Sequence, residues 1–241
     1  MQCRKALEET NGDMEQALII LRKKGAELAE KKSDRSATDG LVSIKSDGKR
    51  AVTLILNCET DFVAKNEDFI ALANALTEIA WNDGEAAARE QAPAKINDVV
   101  LKIGENIQLG KIEEVTGDTV GYYVHHTGKT AAVVALSGGT PEVARDVAMH
   151  AAAMRPAYKS SMDIDEESKA AATEVFKKEV DESGKPEEMK SKILEGKLAA
   201  YFKEQTLMEQ PFFKNPDITI GKLVGDNGAT IDTFVVYSVS I

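Results

Sequence analysis

The sequence predicts an α+β protein. Two β-like apolar runs bracket tight turns, "LVSIKSDGKRAVTLIL" from Leu41 and "YVHHTGKTAAVVAL" from Tyr123. Each is followed by a segment of helical periodicity, and a long charged helical stretch follows the second. Asp-Gly and its equivalents are strong hairpin signals because glycine accepts positive φ, so both runs read as two short strands joined by a turn.

Taken in chain order, "ALEETNGDMEQALIILRKKG" reads as helix, turn, helix. Asp13 can cap the second helix with Gln16 at the capping-box position, and Met14, Ala17, Leu18 and Leu21 follow the spacing of an apolar stripe. Gly25 is read as its end, which gives a small helical module over residues 1–25. It is too short to hold a core alone, and its first residues already look helical, so the chain is expected to begin inside that module. The polar "AELAEKKSDRSATDG" reads as a linker over 26–39. From Gly40 the period changes to that of the first hairpin, and a helix is expected from about Asn66 to Trp81 with Phe69, Leu72, Ala73 and Leu76 on its inner side. Residues 40–118 make a first core subdomain. The second, 119–241, repeats the pattern: the hairpin around "TGK" leads into the helical "PEVARDVAMHAAAM". Placing Gly128 on Gly48, an offset of 80, superposes both second strands without a gap, the pattern of an internal repeat. An insertion at about 163–205 carries one stripe at Ala171, Val175 and Phe176. A second stripe runs through Met189, Ile193, Leu194, Leu198 and Tyr201. Gly184 and Pro186 break the helix between the stripes, so an antiparallel helical hairpin is expected. A short helix around "IGKLVGDNG" and a strand "TIDTFVVYSVSI" close the chain.

Composition narrows the function. With 241 residues, 43% of them hydrophobic, the chain can bury a real core as one elaborate domain or two small ones. No apolar run is long enough to span a bilayer and "MQCRKALEET" lacks the apolar centre of a secretory signal, so a cytosolic or organelle-matrix location is expected and no membrane partner. A formal charge of −10 repels a phosphate backbone, so nucleic acid is not the expected ligand. Cys3 and Cys58 match no metal spacing. His125 and His126, read as strand neighbours, should face opposite ways, and His150 has no partner four residues on, so no metal site is expected. "LSGGTPE" lacks a phosphate-loop pattern and no nucleophile elbow occurs. Neither an enzyme nor a cofactor is signalled. An interaction protein, a nucleic-acid binder, or an enzyme whose site one sequence hides remain as classes.

One connection stands out. In "NCETDFVAKN", Asp61 and Phe62 lie between the second strand and the next helix. One reading has Asp61 setting a turn while Phe62 plugs the core beneath it. The other makes Phe62 an exposed wedge. The repeat places Pro141 and Glu142 at these positions, so the fold does not itself demand an acid and an aromatic.

At "TDFVAKN" the sequence resembles the elongation factor Ts family, the bacterial and organellar guanine-nucleotide exchange factors of elongation factor Tu. "MQCRKAL" with "TNGD", "KIGENI", the Tyr123 and His125 pair, "AMH", "SGKP" and "QPF" agree in order over nearly the whole chain. Family members carry a further helix before "MQC" and a C-terminal module beyond the final strand. The resemblance implies a UBA-like helical module, two related α+β subdomains and an inserted helical hairpin. It implies binding to elongation factor Tu, both GDP-bound and nucleotide-free. Asp61 and Phe62 would be the wedge that enters its GTPase domain and disturbs the Mg²⁺ and phosphate site. Ile103 and Gly104 would support that surface. His125 and Phe213 match second-subdomain positions that contact another domain of Tu, and Met1, Cys3 and Arg4 match a contact loop of the helical module, Arg4 standing where many relatives carry lysine. A non-catalytic peptide- or protein-binding adaptor of the same fold is the alternative, and an RNA binder is disfavoured by charge.

Overall fold

The computed structural model describes residues 2–239, the side chains of Gln2 and Glu187 excepted. The fold is α+β and divides into two compact units. One holds the chain up to Thr116, Tyr123–Ala131 and the end from Tyr237. The other holds Gly117–Tyr122 and Ala132–Val236.

In the first unit, α1 (Gln2–Glu9) and α2 (Met14–Lys32) form the N-terminal module. Asp13 caps α2 by accepting from the amides of Glu15 and Gln16. Gly25 does not end α2. A Cβ there would lie 2.8 Å from the carbonyl oxygen of Asn97, so the glycine serves close helix packing and the helix continues into the stretch expected to be linker. The packed face also differs. Ala17 is buried, but Met14 and Leu18 are exposed, because the inward line is Ala17, Leu21, Gly25 and Leu28.

Strands β1 (Asp39–Ser46) and β2 (Arg50–Cys58) form the expected hairpin, in register from Asp39 opposite Cys58 to Ser46 opposite Ala51. After β2 come a single helical turn, α3 (Asp61–Ala64), then α4 (Glu67–Asp83) and α5 (Glu85–Ile103). On α4, Phe69, Leu72, Ala73 and Leu76 are all buried, as the spacing predicts. α5 and the third strand β3 (Ile107–Thr116), antiparallel to β2, were not legible in the sequence. α5 is rich in alanine and charge and contains Pro93, which masks its period. The core of this unit lies between the sheet and the two helices, around Leu54, Leu56, Phe69, Leu76 and Val100.

The second pattern repeats the first. β4 (Thr119–Val124) and β5 (Thr130–Gly138) form a hairpin, and α6 (Pro141–Met154) follows. β5 begins and ends 80 residues after β2, and α6 begins 80 residues after α3. α7 (Glu166–Glu182) and α8 (Glu187–Gln205) form the inserted helical hairpin around "SGKP". It is held by Phe176 edge-on to Tyr201 at 5.4 Å and by Lys197 to Glu179 at 2.6 Å. Its stripes are only part-buried, with Val175 and Met189 exposed. A two-stranded ribbon of β6 (Pro211–Phe212) and β7 (Asn215–Thr219), then α9 (Ile220–Asp226) and β8 (Ala229–Ser238), complete the chain, and the sheet order is β4-β5-β8. Among the described residues no helix is long and apolar enough to cross a membrane.

Candidate functional site

The connection from β2 to α4 is built by a capped turn. Thr60 has extended backbone, φ −131° and ψ 156°, and its hydroxyl accepts from the amide of Val63 at 3.4 Å, which starts α3. Val63 and Ala64 go into the core, 7% and 8% exposed. With the third and fourth residues of a one-turn helix directed inward, the second is turned to solvent, and Phe62 is 82% exposed. The core-plug reading is therefore overturned: Val63 and Ala64 do the plugging. The Phe62 ring is thus accessible to a partner.

Asp61 lies beside it at the N-terminus of the turn. The Lys65 ammonium, 2.8 Å from Asp61 Oδ2, holds its carboxyl below the usual carboxylate range, and the charge of Lys129 adds to this. The acid is therefore ionised wherever the protein functions near neutrality.

A second loop clamps this one. α5 ends at Gly104, whose φ of 82° is the left-handed conformation glycine accepts, with its amide on the Val100 carbonyl at 2.8 Å. Lys32 Nζ donates to the Gly104 carbonyl. Ile103 is half-buried against the core. The next residue, Glu105, reaches across to the wedge loop: its Oε2 accepts from the amides of Glu59 and Thr60, both at 3.1 Å, and its Oε1 from the Thr60 hydroxyl at 2.7 Å. In return Glu59 Oε1 accepts from the Asn106 amide at 2.7 Å, while Asn106 Nδ2 donates to the Arg35 carbonyl at 2.6 Å. Thr60, Glu105 and Asn106 were missed by sequence reasoning. Thr60 was findable, since Thr140 stands 80 residues on with φ −122°, ψ 157° and the same 3.4 Å cap to Val143. Glu105 was not, because its bonds span 45 and 46 residues with no periodic signal.

The remaining candidates are distributed. His125 belongs to the first unit with Asp61, Phe62, Ile103 and Gly104. It sits past the end of β4 in the hairpin tip, not within a strand, so the opposite-faces argument fails there: the His125 and His126 rings are 4.2 Å apart. The Tyr123 hydroxyl lies 3.4 Å from His125 Nδ1. The tip is anchored by the Val42 amide on the Gly128 carbonyl at 2.8 Å and by Lys129 on Asp39 at 2.6 Å. Phe213 belongs to the second unit, 42% exposed and stacked on His150 with centroids 6.0 Å apart. Cys3 and Arg4 lie in α1 and not in a loop; Cys3 is exposed and Arg4 pairs with Glu8 at 2.7 Å. Met1 lies outside the described residues.

Burial, reinforced by the charges of Asp39 and Glu105, pushes the Cys58 thiol up to about 12, too high for a nucleophile at neutral pH. Among the described residues no group of three or more His, Cys, Asp and Glu side chains is placed to hold a metal ion.

Comparison with known proteins agrees with the motifs. Residues 59–240 match the sequence profile of elongation factor Ts. Over 99% of its length the chain is 39% identical to elongation factor Ts of Thioalkalivibrio sulfidiphilus and, likewise, of Hahella chejuensis, spanning 86% of each of those proteins. The same identity and coverage hold for elongation factor Ts of Alkalilimnicola ehrlichii.

Proposed function

Since the chain belongs to the elongation factor Ts family, we propose that it is a guanine-nucleotide exchange factor for elongation factor Tu and that the Asp61–Phe62 turn is its wedge. The observation that carries this reading is Phe62, 82% exposed in a turn whose next two residues, Val63 and Ala64, are buried in the core. A large apolar ring held rigidly in water gains by entering a partner, and it loses little entropy in doing so because its turn is already fixed. Entry between helices of the GTPase domain displaces the backbone amides and Mg²⁺ that hold the nucleotide phosphates. Those contacts are strong only when well placed, so small displacements release GDP. Asp61, ionised and adjacent, brings a negative charge toward the same phosphate and Mg²⁺ region. Ile103 and Gly104 back the wedge through the loop that carries Glu105, and His125 and Phe213, one on each unit, are further contacts. Cys3, Arg4 and Met1 are contacts of the helical module.

Linkage fixes the energetics. A partner that weakens GDP binding binds GDP-loaded Tu less tightly than empty Tu by the same free energy, about 1.4 kcal/mol for each factor of ten. GTP then displaces the factor, and no covalent step occurs in this chain.

A second reading, an adaptor without exchange activity, is favoured by the exposed Met14, Leu18 and Ile19 on α2. Mixing the chain with elongation factor Tu loaded with fluorescent GDP separates the two. Accelerated GDP release rising to a plateau with chain concentration is expected. Complex formation with an unchanged release rate would leave the adaptor reading.

A further inference from the structure

We propose that Glu105 is the positioning residue of the wedge: by receiving the Thr60 hydroxyl and the amides of Glu59 and Thr60 it fixes the cap that starts α3 and so aims Phe62. The proposal rests on the exchange reading for its functional consequence, but not for its structural one.

The geometry assigns each proton. Thr60 has one hydroxyl hydrogen, and it goes to Glu105 Oε1 at 2.7 Å. With that hydrogen committed, a lone pair of Thr60 Oγ1 is left for the Val63 amide. Glu105 Oε2 meanwhile takes the amides of Glu59 and Thr60, which lie before the helical turn and have no partner within it. One carboxylate thus satisfies two backbone donors and sets the rotor of a third group, and hydrogen bonds to an ionised acceptor are the strong kind.

The internal repeat shows what this arrangement replaces. At Thr140 the cap geometry is the same, but the carboxylate whose charge the threonine hydroxyl favours is Glu142, two residues on in the same helix. The Glu142 carboxyl is held below its usual range by its own backbone amide and by the Thr140 hydroxyl. Glu142 occupies the position equivalent to Phe62. In the first repeat, therefore, the position that would carry the local carboxylate carries the exposed ring, and the carboxylate comes from a loop 45 residues away. With an aromatic at position 62, the acceptor for the Thr60 hydroxyl is the remote Glu105.

The test uses the full chain with Glu105→Gln, Thr60→Val, Thr60→Ser and the double variant Glu105→Gln/Thr60→Val. In the free protein, amide hydrogen exchange at residues 59–64 is expected to quicken roughly tenfold in Glu105→Gln while the core amides of α4 keep their protection. Against GDP-loaded Tu, the half-maximal concentration is expected to rise by a similar factor. The plateau rate should hold within about twofold, because a loosened turn lowers the fraction poised to dock but not what the wedge does once docked. Thr60→Ser is expected to match wild type. The double variant should lose less than the sum of the two singles, because the Thr60–Glu105 bond is shared between them.

Unchanged exchange at 59–64 in Glu105→Gln would overturn the proposal, as would additive losses in the double variant or a loss that tracks global unfolding. If Glu105→Gln does not fold, the Thr60→Val and Thr60→Ser pair decides: equal behaviour overturns it, and loss in valine alone upholds it. A wild-type chain that fails to release GDP would refute the exchange reading while the amide-exchange result still judged the clamp.

Discussion

His150 lies fully buried between the ring of Phe213 and the amide of Gln210. Gln210 Nε2 donates to the Glu204 carbonyl, so its Oε1 is the acceptor facing the imidazole, and His150 Nε2 must carry the hydrogen. Nδ1 is then bare and has no partner. Burial lowers the pKa of this group, against a smaller opposing effect from the Gln210 bond. The sign follows: below about pH 6.5 the unfolded chain takes up a proton that the folded chain refuses, so stability falls as pH drops from there through the lowered folded value. Above that window the group contributes nothing to the pH dependence. Over pH 8 to pH 5, the His150 contribution to the wild-type melting temperature is expected to be flat above about pH 6.5 and to fall below it. In His150→Gln the slope should be shallower at whatever absolute stability the variant has. An unchanged slope would assign the dependence elsewhere. Gly121 is a second residue where one atom decides. A Cβ there would lie 2.3 Å from the carbonyl carbon of Ala144 and 2.5 Å from the Arg145 amide nitrogen, both backbone. Gly121→Ala is accordingly expected to cost at least about 2 kcal/mol in chemical denaturation, since strand and helix must part to admit it. A cost under about 0.5 kcal/mol would contradict the close packing.

Among the elements, the helical hairpin of α7 and α8 is the most self-contained. Val180 is the one residue of α7 that is buried, and the hairpin's aromatic contacts are internal or at its base. That base is fixed by the amides of Ala157 and Tyr158 on the Gln205 carbonyl, both at 3.0 Å, and by the Leu207 amide on Tyr158. Replacing 168–202 by a short linker keeps this base, and loop closure over such a span changes stability little. The expected outcome is a loss of helical circular dichroism with a cooperative melt within a few degrees of wild type. A non-cooperative melt would show that the hairpin completes the core. The elements that sequence made legible carry strong local signals. The two hairpins, α4, α6 and α7 with α8 all carry a single apolar period or a strong turn. α5 was hidden by alanine, charge and Pro93, and the end of α2 was misread because Gly25, a helix breaker by propensity, is required by the backbone of Asn97. The exposed Phe62 was legible only as an alternative, since its environment depends on Val63 and Ala64 being drawn inward. Its carboxylate clamp was not legible at all, because hydrogen bonds between distant loops leave no periodic trace.

At the scale of the molecule, the fold holds a repeated strand–turn–strand–helix pattern whose two copies differ at the turn after the second strand. The second repeat keeps the local carboxylate at Glu142, whereas the first presents Phe62 and brings Glu105 from outside the repeat unit's own turn. The proposed exchange reading asks one exposed aromatic, mounted on a turn whose next two residues are buried, to act on another protein's site. The central claim, that the ring at position 62 transmits this action, is tested by comparing Phe62→Ala with wild type in stopped-flow release of fluorescent GDP at saturating chain, alongside thermal unfolding of both. Truncating an exposed side chain leaves no cavity, so stability should change by less than about 0.5 kcal/mol, while the plateau rate is expected to fall at least about tenfold. A Phe62→Ala chain that is as stable as wild type and reaches the same plateau rate would contradict the account.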